Sequence, residues 1–233
     1  MPVFRLPDNN IFPPPHLSDD NGLLAVGGDL SESRLLKAYS MGIFPWYSEE
    51  DPILWWSPDP RLVLFPENLK VSRSLRQSLN RKTFKVTMDQ AFDSVISECA
   101  SVHRKDDGDT WITEDMINAY INLHREGYAH SVETWSEGKL SGGIYGVSIG
   151  SAFFGESMFT KVSNASKVAF VSLVNQLINW NFTLIDCQVT TLHLKNLGAR
   201  EIPRIEFLAK LALALDSPTR KGIWKFDTKV FGD

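Results

Sequence analysis

The chain has 233 residues, 43% hydrophobic and 22% charged, the balance of an ordinary globular protein with material for one or two domains and a large core. Its formal charge of −4 gives no general attraction to nucleic acid, so any such binding has to come from a local patch. Cys99 and Cys187 lie in unrelated segments without metal-ligand spacing, which argues against a disulfide framework or a zinc site; with no run of signal-peptide or transmembrane length, a cytoplasmic protein is expected.

Residues 1 to 30 read as irregular: Pro13, Pro14 and Pro15 exclude helix, and Asn21-Gly22 and Gly27-Gly28-Asp29 are turn signals around the apolar run Leu23 to Val26. Ser31 is expected to cap a helix reaching about Met41, with Leu35, Leu36 and Tyr39 facing inward and Gly42 as its stop. In the stretch GIFPWYSEEDPILWWSPDPR four prolines forbid long regular structure, yet Phe44, Trp46, Tyr47, Trp55 and Trp56 crowd together. Two readings stand: a hydrophobic cluster that holds an amino-terminal module to the rest, or a platform for a flat ligand such as a base. Leu62 to Phe65 can be a strand, and a boundary near it divides a small module, 1–62, from a larger domain, 63–233.

Between Asn68 and Met88 stand six basic residues, Lys70, Arg73, Arg76, Arg81, Lys82 and Lys85, and no acidic one. Ser72 can cap a short helix with Leu75 and Leu79 on one side and Arg73 and Arg76 on the other, so the segment is either a solvated surface or a phosphate-binding face. Thr87 and Gln90 have capping-box spacing for a helix carrying Phe92, Val95, Ile96 and Cys99. Arg104 to Asp109 reads as a polar loop leading to Trp111, and Thr113 caps a helix carrying Met116, Ile117, Tyr120, Ile121 and Leu123 that Gly127 ends. His130 to Trp135 is the next expected strand.

From Leu140 to Val189 the pattern predicts two antiparallel strands turning near Ser148 to Gly150, then a helix capped by Ser163 or Asn164 and ended by Asn181, then a buried strand from Thr183 to Val189. Period-two alternation would put Phe154, Glu156 and Met158 on one strand face, and Asp186 and Gln188 on one face of the later strand. Polar groups in such apolar strands cost free energy unless partnered, which makes Glu156, Asp186 and Gln188 site candidates. A short helix is expected around Leu192 to Leu197, closed by Gly198, and a stronger one from Ile205 to Leu215; the tail beyond Pro218 gives no definite pattern.

Gly146-Val147-Ser148-Ile149-Gly150 matches the G-x-S-x-G pattern of a hydrolase elbow, but that motif needs a strand-to-helix turn, and Ser151 to Phe159 alternates as a strand. The five histidines have neither H-x-x-x-H spacing nor clustered acidic partners, so no metal is expected. Antiparallel strands, helix and further strand, in that order, resemble the acetyltransferase fold, giving an α/β (α+β) expectation with a mixed-sheet carboxy-terminal domain. The strand-to-helix junction Thr160 to Lys167 has no glycine to cradle a pyrophosphate, which disfavours coenzyme A as the acyl carrier.

Taken together, NGLLAVGGDL, GIFPWYS, DPILWWSPDPR, TWIT, GGIYGV, FFGESMF, NASK, LIDCQV and LGAREIPR resemble the signature blocks of the leucyl/phenylalanyl-tRNA–protein transferase family, in order over nearly the whole chain. The resemblance implies transfer of Leu, Phe or Met from aminoacyl-tRNA to proteins beginning with Arg or Lys, marking them for degradation, by a monomer without cofactor or metal. It implies that Gln188 assists the attacking amine, Asp186 orients Gln188, and Glu156 helps fix the reacting groups. Trp46 and Trp111 would bracket the terminal adenosine and aminoacyl end. Ile144, Phe153, Met158 and Ile185 would line the side-chain pocket, with Leu173 and Leu177 where related sequences carry aromatic residues. Arg73, Arg76, Arg81 and Lys82 would meet tRNA phosphates. A coenzyme A-dependent small-molecule acetyltransferase and a tRNA-binding protein without catalysis are the competing readings.

Overall fold

The computed structural model describes residues 3–101 and 112–227, and among these the chain forms eleven strands and seven α-helices. The first segment builds a small sheet from β1 (Phe4–Arg5), β2 (Leu23–Val26), β3 (Phe44–Pro45) and β4 (Leu54–Trp56), in the order β1-β2-β4-β3. Helix α1 (Glu32–Ser40) crosses between β2 and β3 and buries Leu35, Ala38 and Tyr39. Ser31 stands at its N-cap, but the Ser31 side chain makes no capping bond there; its backbone N–H donates to Asp29 instead.

Strand β5 (Arg61–Leu64) carries the chain into the large sheet, so the expected 62/63 boundary falls inside it. Next along the chain come α2 (Arg73–Asn80), β6 (Lys85–Met88), α3 (Phe92–Ser101), α4 (Glu114–Arg125), β7 (Ala129–Ser136), β8 (Lys139–Ile149) and β9 (Ala152–Thr160). The chain continues with α5 (Ala165–Asn179), β10 (Leu184–Gln188), α6 (Leu192–Asn196), β11 (Arg200–Ile202) and α7 (Arg204–Leu215). The sheet runs β11-β5-β10-β9-β8-β7-β6; β10 lies parallel to β9, and every other neighbouring pair is antiparallel. The hairpin β8–β9, then α5, then β10 is the order expected from the sequence, and Ser148 sits buried within β8, not on an elbow.

Period-two alternation sorts the strand side chains into two cores. One gathers Leu35, Tyr39, Trp55, Val95, Tyr120, Tyr145, Phe154 and Phe207 around the small sheet, α1, α3, α4 and α7. The other gathers Leu75, Ile144, Phe153, Leu173, Leu177, Ile185 and Trp224 around α5 and α2. Each fully buried side chain of this size removes apolar surface worth about 1.5–3 kcal/mol from water. Close packing is enforced where β8 meets β9: a Cβ at Gly146 would collide with the carbonyl of Phe154 and the Phe153 ring.

Two expectations change. Thr87 is not a helix cap: it lies in β6, where its hydroxyl donates to buried Glu133 across the β6–β7 ladder, because strand pairing supplies the partner that a cap would have offered. Met158 does not share a face with Phe154 and Glu156. Tyr145 pairs with Ser157 and Gly146 with Gly155, so Glu156 is an extra residue and the alternation reverses past it, sending Met158 to the α5 side. The segment after α7, for which the sequence gives no definite pattern, is anchored: Trp224 is 2% exposed, stacks on His130 at 3.6 Å between ring centroids, and donates its backbone N–H to Asp89 at 2.6 Å.

Trp224→Ala should therefore cost about 3–5 kcal/mol through the cavity it leaves. Urea denaturation of the variant beside the parent checks this; an unchanged midpoint would mean that the segment only rests on the core.

Candidate active site

Strands β9 and β10 run paired from Leu184↔Ala152 to Asp186↔Phe154 and then part. Irregularities on both sides drive them apart. Glu156 is the extra residue opposite β8, Cys187 is the extra residue opposite β5, and Gln188 sits in the left-handed region at φ 59°. A non-glycine residue held there carries strain on the order of 1–3 kcal/mol and has to be held by its surroundings. Asp186 does that holding, its Oδ1 accepting the backbone N–H of Gln188 at 2.9 Å, a local turn that Asp side chains form readily.

A cavity of about 410 Å³ opens in the gap. Ile144, Met158, Phe170 and Ile185 give it apolar walls, Glu156 and Gln188 give it a polar end, and Phe44, Pro45 and Trp46 close one side from the small sheet. Trp46 is 38% exposed and lies at 5.7 Å from Trp56, whose indole N–H donates to the Trp46 carbonyl at 2.6 Å, so the rim position is fixed by backbone. Its neighbours Phe44, Tyr47 and Trp55 are buried, so the aromatic stretch is core on one side and a cavity rim on the other.

Behind the cavity, Asp186 is fully buried and takes a bidentate pair from Arg61, Nε at 2.8 Å and Nη2 at 2.7 Å. The guanidinium lies over both the Phe44 and the Phe207 rings, 4.7 Å from each centroid. The Gln188 amide reaches elsewhere, its Nε2 donating to Glu156 Oε1 at 2.8 Å. The carboxylate of Asp186 thus acts on Gln188 through the backbone, and Glu156 holds the amide.

Glu156 is itself ringed by phenols: Tyr39 donates to Oε1 at 2.7 Å and Tyr120 to Oε2 at 3.0 Å, with the two hydroxyls also in contact. Burial pushes the Glu156 carboxyl up to about 7 against the pull of those donors, and burial with the neighbouring Glu156 holds both phenols well above the usual tyrosine range. Cys187 lines the cavity as well, but burial and then Asp186 push its thiol up, which disfavours the thiolate.

Of the residues expected from the sequence, Gln188, Glu156, Trp46, Ile144, Met158 and Ile185 come together on the cavity wall. Phe153, Leu173 and Leu177 do not line it. They are buried in the core behind, because along α5 it is Phe170, nearer the amino end, that reaches the gap. Trp111, like the loop Arg104 to Asp109, lies outside the described residues. Arg73, Arg76, Arg81 and Lys82 are exposed on α2 and the turn after it, whose capping Ser72 accepts from Leu75 as expected. Asn164, at the start of α5, donates to Ser78 on α2 and ties that basic helix to the helix that supplies Phe170.

Sequence reading missed Arg61, Phe170 and the roles of Tyr39 and Tyr120. An arginine opening the apolar strand Arg61-Leu62-Val63-Leu64, and phenols inside otherwise apolar helix stripes, were the available signals, since each needs a partner when buried.

An apolar wall ending on one oriented amide–carboxyl pair can seat an apolar group beside a single polar centre. The family profile "Leucyl/phenylalanyl-tRNA protein transferase" matches residues 63–212, and that of its N-terminal domain matches 28–59. A leucyl/phenylalanyl-tRNA–protein transferase of Anaeromyxobacter sp. (strain Fw109-5) is 58% identical over 97% of both chains. Those of Syntrophobacter fumaroxidans, 62% over 91% of both chains, and Myxococcus xanthus, 56% over 96% of this chain and 97% of its own, agree. The chain belongs to the leucyl/phenylalanyl-tRNA–protein transferase family, a family of aminoacyltransferases.

Removing one partner of a buried ion pair leaves an uncompensated charge. Arg61→Met should cost about 3–5 kcal/mol, and adding Asp186→Asn should recover part of the loss. Denaturation of the single and double variants checks both; equal stability of the parent and Arg61→Met would dismiss the pair as a brace.

Proposed function

We propose that the protein transfers Leu, Phe or Met from aminoacyl-tRNA to the amino terminus of proteins beginning with Arg or Lys, marking them for degradation, in the cytoplasm. The observation that carries this is the cavity between the parted strands, apolar along its walls and ended by the Glu156–Gln188 pair, in a chain of this family.

The donor's side chain enters between Ile144, Met158, Phe170 and Ile185, with the flexible thioether of Met158 adapting to Leu, Phe or Met, and the terminal adenosine rests against Trp46. Little covalent chemistry is needed, since the aminoacyl ester is already activated and the acceptor's α-amine, with a pKa of about 8, is partly neutral at pH 7. The amine attacks the ester carbonyl; the C–N bond forms, the C–O bond to the terminal ribose breaks, and the amine's proton ends on the released ribose hydroxyl. Gln188 contributes by orientation. With its Nε2 committed to Glu156, its carbonyl oxygen is the end left to accept a hydrogen bond from the amine and to aim the lone pair.

The exposed cations on and after α2 supply the sequence-independent part of tRNA binding in a chain that is acidic overall.

Labelled phenylalanyl-tRNA with an Arg-initiated peptide, run beside acetyl-coenzyme A with the same peptide, tests the activity; acetylation without aminoacyl transfer would replace this reading with the acetyltransferase one. If about three phosphates are neutralised, raising salt from about 50 to 200 mM should weaken tRNA binding roughly 30-fold, and Arg73→Ala with Arg76→Ala should flatten that dependence. An unchanged slope would move the tRNA contact elsewhere. Gln188→Ala should lower the single-turnover rate with tRNA affinity and melting temperature nearly unchanged. Asp186→Ala should lower the rate and stability together, because it also strands Arg61. A folded Gln188→Ala protein with the parent's rate would remove the amide from the mechanism.

A further inference from the structure

The ring of Tyr39, Tyr120 and Glu156 contains three oxygen–oxygen contacts: Tyr39 to Oε1, Tyr120 to Oε2, and Tyr39 to Tyr120. Each contact needs one hydrogen. Both hydroxyls are buried and protonated, and each phenol has a single O–H, so together they fill two of the three. The Gln188 amide also donates, but to Oε1, and leaves the ring's own shortfall untouched. With an ionised carboxylate, one contact would set lone pair against lone pair. One proton on the carboxyl closes the ring.

The Gln188 bond also sets the sense of the ring. Oε1 already accepts from Gln188 and Tyr39, so the proton belongs on Oε2, and it turns the Tyr120 bond round: where an ionised carboxylate accepts from Tyr120, the protonated one donates to it, freeing the Tyr120 hydroxyl to donate to Tyr39, whose hydroxyl donates to Oε1. Among the described residues Glu156 takes part in no ion pair. The groups around it are Tyr39 from α1, Tyr120 from α4, Tyr145 from β8 beyond Tyr120, and Asp186 from β10, whose charge is matched by Arg61 of β5. Among the described residues no cation faces it in compensation.

We propose that Glu156 carries its proton in the resting enzyme and serves the transfer reaction as a neutral positioning residue: it holds the Gln188 amide, and it is neither a carboxylate base nor a counter-charge for the acceptor. This rests on the transferase reading of the same cavity. Burial raising the carboxyl to about 7 agrees with it. Folding then binds this proton more tightly than the unfolded chain does. The stability contributed is fully present below the ordinary carboxyl range and is lost as pH rises from there through about 7.

Glu156→Gln preserves every contact of the closed ring, its amide N–H replacing the carboxyl proton toward Tyr120. Single-turnover transfer by Glu156→Gln should stay within about 3-fold of the parent, while Glu156→Ala should lose on the order of 10- to 100-fold as Gln188 comes adrift. Melting temperature should fall less from pH 5 to pH 8 in Glu156→Gln than in the parent. Carbon-13 NMR of side-chain carboxyls, with the Glu156 signal assigned by its loss in either variant, should find it protonated at pH 6. A folded Glu156→Gln protein as slow as Glu156→Ala, or a Glu156 signal already ionised at pH 6, would overturn the proposal. If the parent itself transfers nothing, the transferase reading falls, and the NMR titration still decides the protonation state.

Discussion

Everything at the cavity's polar end leans on the pair between Arg61 and Asp186. Two opposite charges taken wholly out of water are tolerated only when geometry is close and the remaining hydrogen-bonding capacity is used. Here the fork is bidentate, the guanidinium lies over two aromatic rings, and the carboxylate keeps capacity for the Gln188 N–H, while Nη1 of Arg61 has no hydrogen-bond partner among the described residues. One pair thereby joins β5, β10, the small sheet through Phe44 and α7 through Phe207. Gln188 can hold a left-handed backbone at the end of β10 because these elements over-determine it.

The cavity is a consequence of that same ending. A regular β9–β10 ladder would close the gap with backbone hydrogen bonds. The extra residues Glu156 and Cys187 interrupt pairing on either side and leave space where side chains from α5, β8 and the small sheet meet. Bulges commonly re-aim side chains beside functional sites, and here they do so twice. The result is a cavity with apolar walls and one oriented polar end.

On the proposed function, affinity and selectivity would occupy different parts of the molecule. In the proposed reaction, exposed cations on α2 would act through long-range, salt-sensitive attraction and carry no information about the donated side chain. The apolar walls would read that side chain, at the modest difference of about 1–3 kcal/mol per methylene that such surfaces provide, so the expected preference among similar donors is graded. The Asn164–Ser78 contact joins the two parts through neighbouring helix ends.

Much of this is legible in the amino-acid sequence alone. Alternation and helical spacing identify the β8–β9 hairpin, α5, β10 and the basic α2; polar residues in apolar strands mark Glu156, Asp186 and Gln188; and a run of signature blocks matches the family. These signals are local, carried by residues close together in the chain and governed by backbone geometry and side-chain burial. Sequence could not say that Met158 turns away from Glu156, since a bulge shifts the phase of alternation and arises from pairing with β8. Nor could it assign Arg61 to Asp186, 125 residues apart, or Tyr39 to Glu156, 117 apart. Such partners are chosen by which segments the fold brings into one buried volume, where a polar group must take the donors within reach. Tertiary packing alone therefore decided the orientation of Gln188, the ring around Glu156 and the replacement of Leu173 and Leu177 by Phe170 at the cavity wall.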